Sequence, residues 1–230
     1  MYFCLRTQSE RKMEVHNIGA SNSVINQYVA EMRCVVRQKD PLRFRTNIER
    51  IGMMMAYEVS KTLGYKEVTV ETPLGVKAVN VPADDLVVGT IMRAGLPMHG
   101  GVLRVFDKAE NCFVSAFRVY NEKHEVEIRL GYAATPSLEG KVLILADPML
   151  ATGFSMAQTI EQLLKFGTPK KIHVLSIIAA QPGIDYLVSH PVKGVETEIW
   201  AASVDPELNK DAYIVPGLGD AGDLAYGVKL

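Results

Sequence analysis

The chain has 230 residues, 48% apolar and 22% charged, with a formal net charge of −1, which suits one sizeable globular unit. So even a charge balance offers no global field for nucleic acid or an anionic membrane, and no apolar run approaches the ~18 residues a membrane-spanning helix needs. Cys4, Cys34 and Cys112 are odd in number and widely spaced, so they read as reduced thiols of a cytoplasmic protein, not as a disulfide frame.

Residues 1–12 show no periodicity and are expected to be a disordered extension, with Met13 as the physiological start and 13–230 as a single domain. Val24, Ile25, Tyr28, Val29, Met32, Val35 and Val36 share a helical face. Residues 21–23 offer an N-cap, and Asp40-Pro41 is expected to stop that helix. A second amphipathic run follows through Phe44, Ile48, Ile51, Met55, Val59 and Leu63, with Gly64 as its cap. Residues 68–75 read as strand and turn, and 86–92 and 113–117 as strands. Residues 124–133 suggest a hairpin or protruding arm. Residues 142–146 and 172–179 are almost wholly apolar, 155–166 is helical and ends at Gly167, and 197–202 is a shorter strand. Apolar strands alternating with amphipathic helices imply an α/β fold with a parallel-sheet core flanked by helices.

The strongest chemical signal is Leu143-Ile-Leu-Ala-Asp147-Pro148-Met149-Leu150-Ala151-Thr152-Gly153-Phe154-Ser155. A buried strand ends at a carboxylate, a short loop follows, and a helix begins. Loop amides and a helix N-terminus make an anion site. Thr152 and Ser155 add hydroxyls, Gly153 permits close backbone approach, and Asp147 can accept hydrogen bonds from ribose hydroxyls. Open α/β sheets bind ligands at this end of their strands. On pattern alone the same letters suit a tight turn with an N-cap. A Walker A loop is excluded, since no G-x-x-x-x-G-K-[ST] occurs.

This segment resembles the phosphoribosyl pyrophosphate loop of uracil phosphoribosyltransferases, which carry Asp-Pro where many phosphoribosyltransferases have two acids. Tyr213-Ile214-Val-Pro216-Gly217-Leu-Gly219-Asp220-Ala221-Gly222-Asp223 is similar to the uracil-binding segment of the same family. A Pro/Gly-rich loop exposes main-chain donors and acceptors that match a uracil edge. Gly217-x-Gly219-x-x-Gly222 also fits the dinucleotide fingerprint, but a helix of useful length and an acid ~20 residues on are both missing. Ile91-Met-Arg93-Ala-Gly95 resembles a third family loop. The resemblance covers residues 20–228 or so, with departures at Phe154, at Pro97 and His99, and in Phe117-Arg118-Val119-Tyr120.

The resemblance implies a type I phosphoribosyltransferase fold with N-terminal helices and a small C-terminal hood over the base. It implies transfer of phosphoribose from phosphoribosyl pyrophosphate to uracil, giving UMP and pyrophosphate. By the same resemblance, residues 147–155 hold the donor and Asp147 orients the ribose. Arg93 meets the pyrophosphate, with Arg118 beside it, and Asp220 sits near the reacting ribose. Backbone groups of Ile214, Gly219 and Ala221, with Asp220, meet uracil. Mg²⁺ is expected as cofactor, carried mainly by substrate. A homodimer or higher homo-oligomer and a GTP effector are expected, with neither nucleic acid nor membrane as partner.

His16, His99, His124, His173 and His190 lack metal-ligand spacing. Residues 53–55, three methionines, read as core or interface packing. Arg33, Arg37, Lys39, Arg43, Arg45 and Arg50 form a basic stretch that would suit a pyrimidine-sensing RNA-binding regulator on the same fold, although a solvated face or an effector or subunit contact accounts for it better. Among other bases, orotate would bring a carboxylate to a loop holding Asp220 and Asp223 but no cation.

Overall fold

A computed structural model describes residues 13–120 and 126–229, with 116–120 and 126–130 given by backbone alone. In chain order its elements are β1 (Glu14–Asn17), α1 (Val24–Arg33), α2 (Pro41–Ser60), β2 (Tyr65–Thr72), β3 (Gly75–Pro82), β4 (Leu86–Met92), α3 (Gly95–Leu103), β5 (Glu110–Tyr120) and β6 (Val126–Ala134). Then come β7 (Val142–Ala146), β8 (Met149–Leu150), α4 (Phe154–Leu163), β9 (Lys171–Ala180), α5 (Gln181–Ser189), β10 (Glu196–Asp205), β11 (Glu207–Leu208), β12 (Ile214–Val215) and α6 (Ala221–Tyr226).

The main sheet runs β1-β10-β9-β7-β4-β5-β6, with β8 added to β9. Its pairings are parallel except β5 with β6. The expected α/β fold is therefore present. The central strands are unbroken apolar runs because helices cover both faces; every residue of β7 is buried. One face packs on α1, α2, α3 and α6 through residues such as Ile48, Met55, Met98 and Ala225. The other packs on α4 and α5 through Met156, Ile160, Ile184 and Leu187.

Ser23 caps α1 by accepting the Ile25 N–H at 3.2 Å. The helix ends at Arg33, short of the expected stop, and leaves Val35 and Val36 exposed. Asp40 instead opens α2, accepting the N–H groups of Leu42 and Arg43 with Pro41 in the first turn. Proline needs no partner for an amide there, which is why Asp-Pro starts a helix as readily as it ends one. Among the three methionines, Met55 is core and Met53 is exposed. A glycine in α3 sets its distance from α2: a Cβ on Gly101 would lie 2.0 Å from the Glu49 carbonyl.

The hairpin expected at 124–133 is present as β5–β6: the two strands run antiparallel, and 116–120 pair with 126–130 beyond Ser115, the last residue of β5 paired to β4. Residues 121–125 are outside the described residues, as is the side chain of Arg118. A second hairpin is β2–β3, a separate two-stranded sheet that leaves Val70, Leu74 and Val76 exposed. The short edge strand β1 carried no sequence signal, because Glu-Val-His-Asn gives no apolar alternation. The proposed extension, residues 1–12, lies outside the described residues.

Candidate active site

The strand ends of β4 and β7 open into one cleft. Asp147 follows β7 directly, its backbone fixed by its N–H to the Leu175 carbonyl at 3.0 Å and by the Ser176 hydroxyl donating to its carbonyl at 2.7 Å. The Pro148 carbonyl accepts the N–H groups of Ile177 and Ile178. The loop is thus clipped to β9, and β8 continues that pairing. Within the described residues the Asp147 carboxyl is given one donor, the Met149 N–H at 3.2 Å. Burial pushes its pKa up to about 6, and that one hydrogen bond only partly opposes the shift.

Gly153 turns the chain into α4 at φ 78°. A Cβ there would meet the Gly183 carbonyl at 2.5 Å, so glycine is demanded by both angle and space. Thr152 Oγ1 lies 3.4 Å from the Phe154 N–H. That bond occupies the first amide of α4, while those of Ser155 and Met156 have no acceptor within the helix, which leaves them for an anion. Phe154 sets its ring edge-on to Tyr186, centroids 6.1 Å apart, so α5 gives this larger residue a neighbour.

The C-terminal loop closes the cleft's other side. Val215–Pro216 is cis, and Gly217 and Gly219 have φ of 54° and 94°. Asp220 caps α6, its Oδ1 accepting the Asp223 N–H at 2.9 Å. A clamp absent from the sequence reading holds this loop. Arg33 donates to both Asp205 oxygens at 2.7 and 2.6 Å, to the Gly217 carbonyl at 2.8 Å and to Ser203 at 2.9 Å. Asp205 in turn accepts the Gly217 N–H at 2.9 Å. Both backbone polar groups of Gly217, in two successive peptide units, are therefore fixed by a bidentate ion pair, the geometry in which arginine is not replaceable by lysine. Gln38 adds a bond to the Leu218 carbonyl.

The cleft has a volume of about 240 Å³. Asp147, Met149, Ala151, Ile214, Gly219, Asp220 and Ala221 line it, so the structure brings together acids from two distant segments and the expected backbone contacts. Pro148 and Leu150 are buried instead, Leu150 in the core against α4, which makes them shape-setting. Thr152, Gly153, Phe154 and Ser155 form the adjoining turn. Arg93 follows β4 but points its fork at the C-terminal turn, donating to Asp223 Oδ1 at 2.7 Å and the Gly227 carbonyl at 3.0 Å. That ion pair was outside the sequence expectation, although Asp223 sits within the motif.

The profile of the family described as uracil phosphoribosyltransferase matches residues 20–228. The chain belongs to that family. A uracil phosphoribosyltransferase of Porphyromonas gingivalis is 52% identical across 95% of this chain and all of its own length. One from Methanothermobacter thermautotrophicus is 38% identical, covering 90% of this chain and 93% of itself. A solved protein structure from Aquifex aeolicus superposes with a TM-score of 0.80 at 32% identity, over 94% of this chain and 99% of that one.

Within this uracil phosphoribosyltransferase fold half of the basic stretch is tied to acids. Arg43 and Arg37 pair with Glu31, Arg33 with Asp205, and Arg45 donates to the Ala225 carbonyl. Arg43 and two neighbouring side chains hold the Glu31 carboxyl down at about 2. These bonds brace α1, α2 and the hood, while Arg37, Lys39 and Arg43 stay exposed. Cys34 and Cys112 are free thiols. Among the described residues, no helix is long and apolar enough to cross a membrane.

Proposed function

We infer that this protein transfers the phosphoribosyl group of phosphoribosyl pyrophosphate to uracil, yielding UMP and pyrophosphate. The observation that carries it is one cleft lined by Asp147 from the strand–turn–helix loop and by Ile214, Gly219, Asp220 and Ala221 from the glycine-rich hood. The 152–155 turn presents α4's free amides and two hydroxyls to the donor's 5′-phosphate. Asp147 accepts from the ribose hydroxyls, and Arg93, together with Arg118, takes up charge on the departing pyrophosphate. Main-chain groups of 214–221 hold uracil with N1 facing the ribose C1, so positioning and charge do most of the work. Among the lining residues there is no Lys or Arg, which favours neutral uracil over orotate, whose carboxylate would stand against Asp147 and Asp220.

Mg²⁺ is the proposed cofactor. A half-buried carboxyl whose pKa burial raises is short of positive charge, so Asp147 suits a magnesium-laden donor, with Asp220 the second acid of the cleft. When bound, the metal supplies charge that neutralises the pyrophosphate. A homodimer or higher oligomer belongs to the proposal. It is supported by the β2–β3 hairpin, since an isolated two-stranded ribbon gains stability by covering such apolar side chains as Leu74 and Val76. We place the protein in the cytoplasm, in keeping with its free thiols. GTP is the proposed effector.

The test is an assay of purified protein with phosphoribosyl pyrophosphate and Mg²⁺, offering uracil, orotate, cytosine and hypoxanthine in parallel, with and without GTP. UMP formed from uracil alone supports the reading. Turnover of another base, or donor binding with no turnover, refutes it.

A further inference from the structure

A second cluster of ligand-type side chains, sharing no residue with the cleft, lies at the sheet edge where β1 joins β10. Parallel pairing puts Glu14, Glu198 and His173 in one register row, and His16 and Trp200 in the row two residues further along the same face. The strands therefore gather these side chains by register alone.

The local bonding leaves a gap. Glu198 is 5% exposed, and its Oε1 is met by the Lys171 ammonium at 2.5 Å. Its Oε2 stands 3.4 Å from His16 Nε2 and 3.3 Å from His173 Nδ1 without a hydrogen bond to either. His173 Nδ1 already accepts the Trp200 indole N–H at 3.1 Å, so it presents a lone pair and not a proton. His16 Nε2 is likewise buried and without a hydrogen-bond partner. The His16 ring is fixed by stacking on Trp200, centroids 3.7 Å apart. An orphaned carboxylate oxygen and an orphaned imidazole nitrogen thus face each other, with Glu14 Oε1 3.8 Å from the same nitrogen.

We propose that Glu14, His16 and Glu198 bind a divalent transition metal, with Zn²⁺ the best match, which staples the edge strand β1 to β10. Three ligand atoms from these residues lie within 4.8 Å of one another. Zinc bonds of ~2.0–2.1 Å at tetrahedral angles place ligand atoms roughly 3.3 Å apart; His16 Nε2 lies 3.4 Å from Glu198 Oε2 and 3.8 Å from Glu14 Oε1, so a turn of the exposed Glu14 side chain completes the set, and solvent supplies the fourth ligand. One imidazole with two carboxylates suits Zn²⁺ better than the all-oxygen preference of Mg²⁺. Lys171 opposes a cation here, but it is bonded to Oε1 and to Glu196 at 2.9 Å, leaving Oε2 to the metal.

The test uses the full chain, stripped with a chelator and titrated with Zn²⁺ against a chromogenic competitor in excess Mg²⁺. Co²⁺ is added in parallel for its visible absorption. The expected result is one Zn²⁺ per chain, a higher melting temperature with the metal, and affinity at least about tenfold weaker in His16→Ala and in Glu198→Gln. Uracil turnover of His16→Ala stays at the wild-type level, and Asp147→Asn binds Zn²⁺ as the wild type does. Equal affinity in His16→Ala, loss of binding in Asp147→Asn, or no metal-dependent melting shift in the wild type overturns the proposal. Should Glu198→Gln fail to fold, Glu14→Gln at the exposed end of β1 gives the second reading, with weaker binding expected and unchanged binding refuting.

Discussion

Replacing Asp147 with asparagine should make the unliganded protein more stable while removing its activity. The carboxyl's pKa rises from 3.8 to about 6 on folding, so the folded state disfavours the charged form. At pH values above about 6 the full cost of holding that charge is present, on the order of 3 kcal/mol. Below pH 3.8 the group is neutral in both states and the cost is gone. Asparagine keeps an acceptor for the Met149 N–H and carries no charge. Allowing for relaxation around a half-buried group, the gain should be ~1–3 kcal/mol, or ~3–10 °C in melting temperature for a chain of this size. The assay is thermal melting of wild type and variant, without substrate, from pH 4 to pH 8. The difference should be near zero at the acid end, grow between pH 4 and 6, and level off above. A variant that melts lower than wild type at pH 8, or a gain independent of pH, refutes the reasoning. Turnover should fall at least about a hundredfold, because a neutral amide cannot serve the donor's ribose and metal as a carboxylate does.

Four further outcomes follow from the same geometry. In wild type, kcat/KM should lose activity as pH drops through about 6, the value to which burial lifts Asp147; a profile flat to pH 5 contradicts this. Arg33→Lys keeps the charge but cannot span Asp205, Ser203 and Gly217, so KM for uracil should rise about tenfold or more with donor KM changed less than about threefold, measured by varying each substrate in turn. Gly153→Ala forces an alanine to φ 78° with its Cβ 2.5 Å from the Gly183 carbonyl. It should lower stability by ~1–3 kcal/mol in urea melts and weaken the donor more than uracil. By contrast, Arg93→Ala breaks a partly exposed ion pair worth less than ~1 kcal/mol, so turnover should collapse while the melting temperature barely moves.

The parts of this fold legible in the sequence were those dictated by local pattern. Strands such as β4, β7 and β9 announced themselves because burial on both faces forces continuous apolar runs, and α4 because its apolar stripe repeats at helical spacing. Asp147 and the hood could be read because each lies in one short segment whose chemistry is local. What escaped depended on distant partners. The strand β1 owes its conformation to β10, and its own residues carry no pattern. The end of α1 was misplaced because Val35 and Val36 continue the helical stripe but have nothing to pack against. Nothing in their spacing pairs Arg33 with Asp205, 172 positions apart, and Arg33 sat unremarked in a basic run. The direction of Arg93 could not be foreseen either, since its partners Asp223 and Gly227 are reached only through the folded hood.

The Arg33 clamp also means that the proposed base-recognition loop is not a detachable module. Its peptide at Gly217 is held from the end of α1 and from the end of β10, so its shape is written in three separated stretches of chain. Grafting residues 213–223 onto another phosphoribosyltransferase would transfer the letters of uracil recognition without the grip that gives them form. A successful transplant would have to carry Arg33, Ser203 and Asp205 along with the loop. Engineering a new base preference here is accordingly a task for the N-terminal helix as much as for the C-terminal turn.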